Sequence, residues 1–133
     1  MNIFFPKEQD NETRFSLTGE TAQKFLKKNI NLSIQENINL QDALLEKLIE
    51  ENSINIVSRE EGLKSANIIC NLNKLSFDDI AKINPDTLAI SFLDPFNEKQ
   101  LIEEFRKKSI SSISMELIPR TTRAQKMDAL SSQ

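Results

Sequence analysis

A chain of 133 residues, 38% of them hydrophobic and 28% charged, is long enough for one globular domain and does not have a disordered composition. Its net charge of −3 argues against a nucleic-acid-binding surface, and no apolar run reaches membrane-spanning length. There is no histidine, and only two glycines, Gly19 and Gly62. The commonest general base and a glycine-rich phosphate loop are therefore both excluded.

Short apolar segments recur along the chain and have the length expected of strands. The segment 68–72 is apolar throughout, which is typical of a parallel strand covered on both faces. It contains Cys70, which as the single cysteine excludes an internal disulfide and is consistent with a reducing compartment. We expect this thiol to be a buried filler rather than a nucleophile. The predicted strands are 3–5, 32–34, 54–57, 68–72, 88–92 and 110–115.

Amphipathic segments follow the predicted strands, with apolar residues at helical spacing. Polar side chains that can cap a helix stand at several of their starts. This alternation predicts an α/β domain with three layers, helices on both faces of a mainly parallel sheet, in a flavodoxin- or Rossmann-like lobe that lacks the glycine-rich nucleotide motif. The helices are predicted after Thr18, over 41–51, after Ser58 (with Glu61), after Ser76 (with Asp79), after Asn97 and from near Thr122.

The segment 118–133, IPRTTRAQKMDALSSQ, has two interpretations. In the first, a threonine caps a helix that buries Met127 and Leu130. In the second, polar groups on one helical face bind a ligand, because residues three positions apart share a face. Amide, carboxylate, hydroxyl and guanidinium groups can together grip a planar carboxamide. In the second interpretation the ligand-binding residues are Gln125, Asp128 and Ser131, with Arg120 just before them.

This segment resembles one in the alpha subunit of the proton-translocating nicotinamide nucleotide transhydrogenases. There, proline-arginine is followed by Arg-Ala-Gln, Met-Asp and Leu-Ser-Ser, and four of these side chains surround the nicotinamide of NAD(H). The resemblance implies that Arg120, Gln125, Asp128 and Ser131 bind the cofactor, and that Gln125 and Asp128 are the catalytic residues. Lys126 stands where a small polar residue is more usual.

The N-terminal run PKEQDNETRFSLTGETAQKFLKKN resembles the opening of both transhydrogenase alpha subunits and alanine dehydrogenases. Two departures from the family pattern are visible. Gly19 replaces a usual proline, which costs some pre-organisation of the helix start. Residues 36–39, Glu-Asn-Ile-Asn, stand in place of a small turn that contains glycine. The match is strong at both ends of the chain and weak between them.

Arg14 matches an arginine that contacts the substrate carboxylate in alanine dehydrogenases. We favour an ion pair with Glu8 or Glu12 instead, because other members of that pocket are missing. The family's lysine after the fourth strand falls on Asn73, with Lys74 one position off, and its histidine falls in the stretch 93–95, Leu-Asp-Pro. The resemblance therefore favours a transhydrogenase, in which hydride passes directly between two nucleotides.

The resemblance divides the chain into a catalytic-type α/β lobe, 1–117, and a nicotinamide-contacting segment, 118–133, that leads to a missing NAD-binding lobe. We expect the full enzyme to transfer hydride between NAD(H) and NADP(H), coupled to proton translocation. Its expected partners are a second alpha domain in a homodimer, an NADP-binding domain and membrane-embedded subunits. The expected location is cytoplasmic, peripheral to the inner membrane.

The chain alone is expected to be truncated before the second lobe, to be inactive and to bind NAD(H) weakly or not at all, with no metal site. Two alternatives remain open. One is a lobe of an alanine dehydrogenase, against which the lack of histidine argues. The other is a non-catalytic partner-binding α/β module, in which the tail is a docking helix.

Overall fold

The computed structural model describes residues 1–8, 14–72, 75–91, 103–104, 106–108 and 110–114, and for 111–114 it describes the backbone alone. Strands and helices alternate through these ranges, and the backbone is also helical at 103–104 and 106–107. The strands are β1 (Asn2–Phe5), β2 (Asn31–Gln35), β3 (Asn55–Val57), β4 (Ile68–Cys70), β5 (Leu88–Ser91) and β6 (Ser111–Ser114). The helices are α1 (Gly19–Lys27), α2 (Ala43–Glu50), α3 (Arg59–Ser65) and α4 (Phe77–Lys82).

The six strands form one parallel sheet in the order β3-β2-β1-β4-β5-β6. The strand β1 therefore lies at its centre, where Ile3 pairs with Leu32 of β2 on one side and Ile68 of β4 on the other. The strand order reverses between β1 and β4, which is the Rossmann-like arrangement of a doubly wound sheet. The predicted α/β class is confirmed.

An apolar core lies on each face of the sheet, because successive side chains of a strand point to opposite faces. In β1, Ile3 and Phe5 belong to one core and Phe4 to the other, and all three are fully buried. The three predicted layers are therefore present. The helices α1 and α2 contribute Ala22, Phe25, Leu45 and Leu48 to the first core, and α3 and α4 contribute Leu63 and Ile80 to the second.

Each of the four helices begins at a side-chain cap. Thr18, Asp42, Ser58 and Ser76 accept a hydrogen bond from a backbone N–H in the first turn of α1, α2, α3 and α4. The capping box predicted at Ser76 is reciprocal, since the Asp79 carboxylate also accepts from the Ser76 N–H at 3.1 Å. Asp42 was not predicted as a cap, and for this reason the predicted start of α2, at residue 41, was two residues early.

Asparagine takes the left-handed backbone positions that follow two helices. Asn29 follows α1 with φ 61°, and Asn52 follows α2 with φ 60°. Asparagine tolerates this conformation better than most residues with a side chain. Asn37 adopts φ 64° in the turn after β2, where the family resemblance led us to expect a glycine. Asparagine thus replaces glycine at turns in a chain that has only two glycines.

The buried glycine Gly62 allows α3 to pack closely on the sheet. A Cβ atom at this position would overlap the ring of Phe4, which is completely buried in β1. The ring occupies the space that a side chain would need, so close helix–sheet packing requires glycine here.

The strand β3 lies at the edge of the sheet and pairs only with β2. Its middle residue, Ile56, is 46% exposed, although the apolar segment 54–57 had the pattern of a covered strand. The neighbouring Ile54, which immediately precedes β3, is buried at 2% exposure. The sequence pattern identified the strand but not its position at the sheet edge.

Candidate functional site

The reversal of strand order between β1 and β4 identifies the candidate site. Ligands of open α/β sheets bind outside the carboxyl ends of the strands at such a point. In this protein, Pro6 to Glu8 leave β1 there, and Asn71 and Leu72 leave β4. We call this region the switch-point edge.

Two hydrogen bonds hold the switch-point edge together. The Glu8 carboxylate accepts from the Leu72 N–H at 2.9 Å, which joins the segments that follow β1 and β4. The Ser16 hydroxyl donates to the Cys70 carbonyl oxygen at 3.1 Å, which ties the approach to α1 to the end of β4. Buried polar residues also end the neighbouring strands, with Asn71 at 5% and Ser91 at 1% exposure. The edge is polar and well ordered by contacts across 54 or more residues of sequence.

Arg59, at the start of α3, organises one side of this edge and was not singled out from the sequence. Its Nε and Nη2 donate to the two carboxylate oxygens of Asp79 at 2.8 and 2.7 Å, in a bidentate pair. Its Nη1 donates to the Lys7 carbonyl oxygen at 3.1 Å and to Gln35 Oε1 at 2.9 Å. The same Gln35 oxygen accepts from the Lys7 N–H at 2.8 Å. One guanidinium thus joins α3, α4, β2 and the segment that leaves β1.

The ion pair of Arg59 and Asp79 is partly shielded from water, with side-chain exposures of 33% and 9%. Burial acts to raise the pKa of Asp79, but the hydrogen bonds from Arg59 and Ser76 outweigh it and hold that pKa below its usual value. The pKa of Arg59 is raised, chiefly by its hydrogen bonds to Asp79. Both groups are therefore charged at neutral pH, and the network has a structural role at the edge of the site.

Cys70 lies at the end of β4, within the switch-point edge, but it is not a nucleophile. Burial raises the pKa of its thiol to about 12, and the nearby charge of Glu8 contributes to the rise. A thiol with this pKa is protonated at neutral pH and unreactive. The prediction of a buried filler is confirmed. In the described part of the chain, no group of three or more potential ligands could hold a metal ion.

Gly19, the residue that replaces the family's usual proline, has a use for its backbone N–H. This N–H donates to Asp42 Oδ2 at 2.9 Å, while Oδ1 of the same carboxylate accepts from the Leu45 N–H at 3.0 Å. Asp42 thus bridges the amino-terminal ends of α1 and α2. The Gly19 bond is the main cause of a lowered Asp42 pKa, followed by the Leu45 bond. A Cβ at Gly19 would lie 2.7 Å from Leu44 Cβ.

The site residues predicted from the sequence are placed unevenly. Arg14 is exposed and stands four residues before the cap of α1. Its predicted ion pair with Glu8 or Glu12 stays a prediction. The other predicted site residues, which are Asn73, Lys74, residues 93–95, Arg120, Gln125, Asp128 and Ser131, lie outside the described residues.

Comparison with known proteins identifies the family. Residues 4–133 match the family described as alanine dehydrogenase/PNT, N-terminal domain. The chain belongs to this family. The match extends from β1 to the last residue, so the AlaDh/PNT N-terminal assignment covers both the described lobe and the segment 118–133.

The curated relatives in this family include alpha subunits of NAD(P) transhydrogenase. In Rickettsia prowazekii the relative is the first of the separate polypeptides that make up the NAD(P) transhydrogenase subunit alpha. The chain is 30% identical to it over 139 residues, covering 100% of this chain and 36% of that protein. The chain is 27% identical over 133 residues to the subunit alpha of Haemophilus influenzae, covering 99% of this chain and 26% of that protein. The chain therefore spans about a third or less of these relatives.

Two solved structures share the fold. A transhydrogenase from Sinorhizobium meliloti matches with a TM-score of 0.77 at 21% identity, over 98% of this chain and 39% of that one. An L-alanine dehydrogenase matches with a TM-score of 0.73 at 16% identity, over 87% of this chain and 32% of that one. Among the described helices, none combines the length and apolar character needed to cross a bilayer.

Proposed function

We propose that this chain is the first lobe of an NAD(P) transhydrogenase alpha subunit and that it orients the nicotinamide ring of NAD(H) for hydride transfer to or from NADP(H). The match to alpha-subunit relatives over the whole chain carries the proposal. The fold adds support, because its strand order creates a ligand-binding edge at the switch point.

The segment 118–133 supplies the groups that would contact nicotinamide. Gln125 and Asp128 can accept hydrogen bonds from the carboxamide NH2, and Arg120 can donate to its oxygen. Ser131 adds a hydroxyl on the same helical face. The cofactor, when bound, supplies the transferable hydride, and the lobe contributes positioning. A displacement of about 1 Å in such a site can cost on the order of a hundredfold in rate.

The proposed reaction needs parts beyond these 133 residues. No glycine-rich motif is available here for a dinucleotide pyrophosphate. We assign that contact to an NAD-binding lobe, and the second nucleotide to a separate NADP-binding domain. A second alpha domain and membrane-embedded subunits complete the proposed complex, which would place this lobe in the cytoplasm at the inner membrane and couple hydride transfer to proton translocation.

An alanine dehydrogenase lobe is the weaker candidate, although the structural match to L-alanine dehydrogenase supports the shared fold. Such an enzyme needs acid–base groups next to an amino acid, and the chain has no histidine. Direct hydride transfer between two nucleotides needs no such group. The absence of histidine therefore favours the transhydrogenase.

The experiment joins this chain to the NAD-binding lobe of the Rickettsia prowazekii relative, together with that organism's NADP-binding subunit. NADH-dependent reduction of an NADP analogue is expected, and Gln125→Ala or Asp128→Ala should each lower its rate by about tenfold or more. Lys24→Ala, on the exposed face of α1, is the matched control and should leave the rate unchanged.

Two results would contradict the proposal. One is turnover of pyruvate and ammonia with NADH in place of hydride transfer to the NADP analogue. The other is micromolar binding of NADH to the 133 residues alone in calorimetry, because the nicotinamide end offers too few contacts for that affinity.

A further inference from the structure

A second surface lies at the far end of the sheet, away from the switch point. A cleft of about 480 Å³ opens between the turn that follows β2, the flank of α2 and the edge strand β3. We call it the β3 cleft. Its apolar lining includes Ile38, Ile49 and Ile56, and its acidic lining is formed by Glu36, Glu46 and Glu50.

The apolar part of the β3 cleft is accessible. Ile56 is one of the few large apolar side chains that are exposed among the described residues, at 46%. It sits in the middle of β3, which in the described sheet pairs on one side only. An unpaired strand edge is a template for another extended chain, which adds to the sheet through main-chain hydrogen bonds.

The charge of the β3 cleft selects its occupant. Glu36, Glu46 and Glu50 form no ion pair within the described residues, and each is exposed. Lysine or arginine side chains of a partner would be attracted to them. A nucleic acid or an anionic membrane would be repelled.

A second copy of this chain is disfavoured by the same charges. Pairing of β3 with β3 of another copy would bring two sets of these glutamates together. Like charges across such an interface cost binding energy, and charged edges are one way in which proteins prevent self-pairing.

We infer that the β3 cleft is a docking site for an extended, basic polypeptide segment of a partner protein, which adds as a strand to β3, covers Ile56 with an apolar side chain, and places lysine or arginine beside Glu46 and Glu50. This inference does not depend on the nicotinamide site, which lies at the switch point on the other side of β1 and β2.

The test uses the 133-residue chain and a labelled peptide, Lys-Val-Lys-Ile-Lys-Val-Lys, with fluorescence anisotropy as the measure of binding. Saturable binding is expected, and the double variant Glu46→Gln/Glu50→Gln should weaken it by about tenfold or more. The control Glu20→Gln/Asp78→Asn removes the same charge from the first turns of α1 and α4 and should bind as the wild type does.

Backbone pairing is tested separately from charge. The same peptide methylated on its backbone nitrogens keeps every positive charge but cannot donate to a sheet edge, and it should bind about tenfold more weakly or worse. Ile56→Ser should weaken binding while the thermal unfolding midpoint stays near that of the wild type.

Three outcomes would overturn the inference. Equal losses in the Glu46/Glu50 variant and in its control would show diffuse electrostatic attraction. Equal binding of the methylated peptide would remove the strand-addition mode. Self-association of the chain that Ile56→Ser abolishes would make the occupant a second copy.

Discussion

Replacing Arg59 by methionine tests whether the network at the switch-point edge stabilises the fold. The change keeps most of the aliphatic volume and removes the guanidinium that binds both oxygens of Asp79. Asp79 is 6% exposed, so its carboxylate would remain charged with only its contacts to Ser76. Loss of one partner from a fully buried ion pair costs about 3–5 kcal/mol.

The expected loss of unfolding free energy is smaller than that limit, because a third of the Arg59 side chain is exposed. We expect about 2–3 kcal/mol at pH 7, measured by urea unfolding monitored by circular dichroism. The control is Lys64→Met, which removes the exposed pair with Glu60, where the side chains are 57% and 60% exposed. Its expected cost is below about 1 kcal/mol.

The cost of Arg59→Met should depend on pH. The Asp79 pKa is lowered in the folded wild type, so the stability it contributes is present above the unfolded pKa and is lost as pH falls through the folded pKa. The difference between wild type and variant should therefore be largest above about pH 5 and shrink towards pH 3. A cost equal to that of Lys64→Met, or one that stays constant from pH 7 to pH 3, would refute this account.

Three further changes test other contacts. Gly62→Ala should lower the free energy of unfolding by about 1–3 kcal/mol in urea titrations, because the new methyl group overlaps the buried ring of Phe4; an unchanged midpoint would mean that the ring moves freely. Asp42→Asn should cost about 1 kcal/mol at pH 7, and since the pKa of Asp42 is lowered, the cost should diminish at pH 3 as the wild-type carboxyl is protonated; unfolding curves at the two pH values measure this. Cys70, with a thiol pKa of about 12, should resist iodoacetamide at pH 8 until urea unfolds the chain; mass spectrometry that shows rapid labelling of the folded chain would contradict its burial.

The local elements could be predicted from the sequence because their signals are local. Caps such as Thr18, Ser58 and Ser76 stand next to the helices they begin, and apolar runs mark the strands. Strand ends were less well predicted, since β4 stops at Cys70 rather than at residue 72. Pairing partners at a strand end depend on neighbouring strands, which a local pattern does not contain.

The contacts that organise the switch-point edge could not be predicted for a related reason. The Asp79 side chain was correctly assigned to a capping box, but its second partner, Arg59, lies 20 residues away in sequence. Asp42 likewise bonds Gly19 across 23 residues. A polar side chain with a satisfactory local role gives no sign of a distant one. The roles of Arg120, Gln125, Asp128 and Ser131 stay predictions.

The central place of β1 has a consequence for how the chain folds. This strand is synthesised before the other five and pairs with β2 on one side, but its other edge is completed only by β4, whose residues lie 65 positions later. Sheets built from such distant pairings fold slowly, and open strand edges favour aggregation in the meantime. During synthesis, the residues before β4 therefore expose an incomplete sheet, with the uncovered edge and Phe4 face of β1 as natural targets for a chaperone.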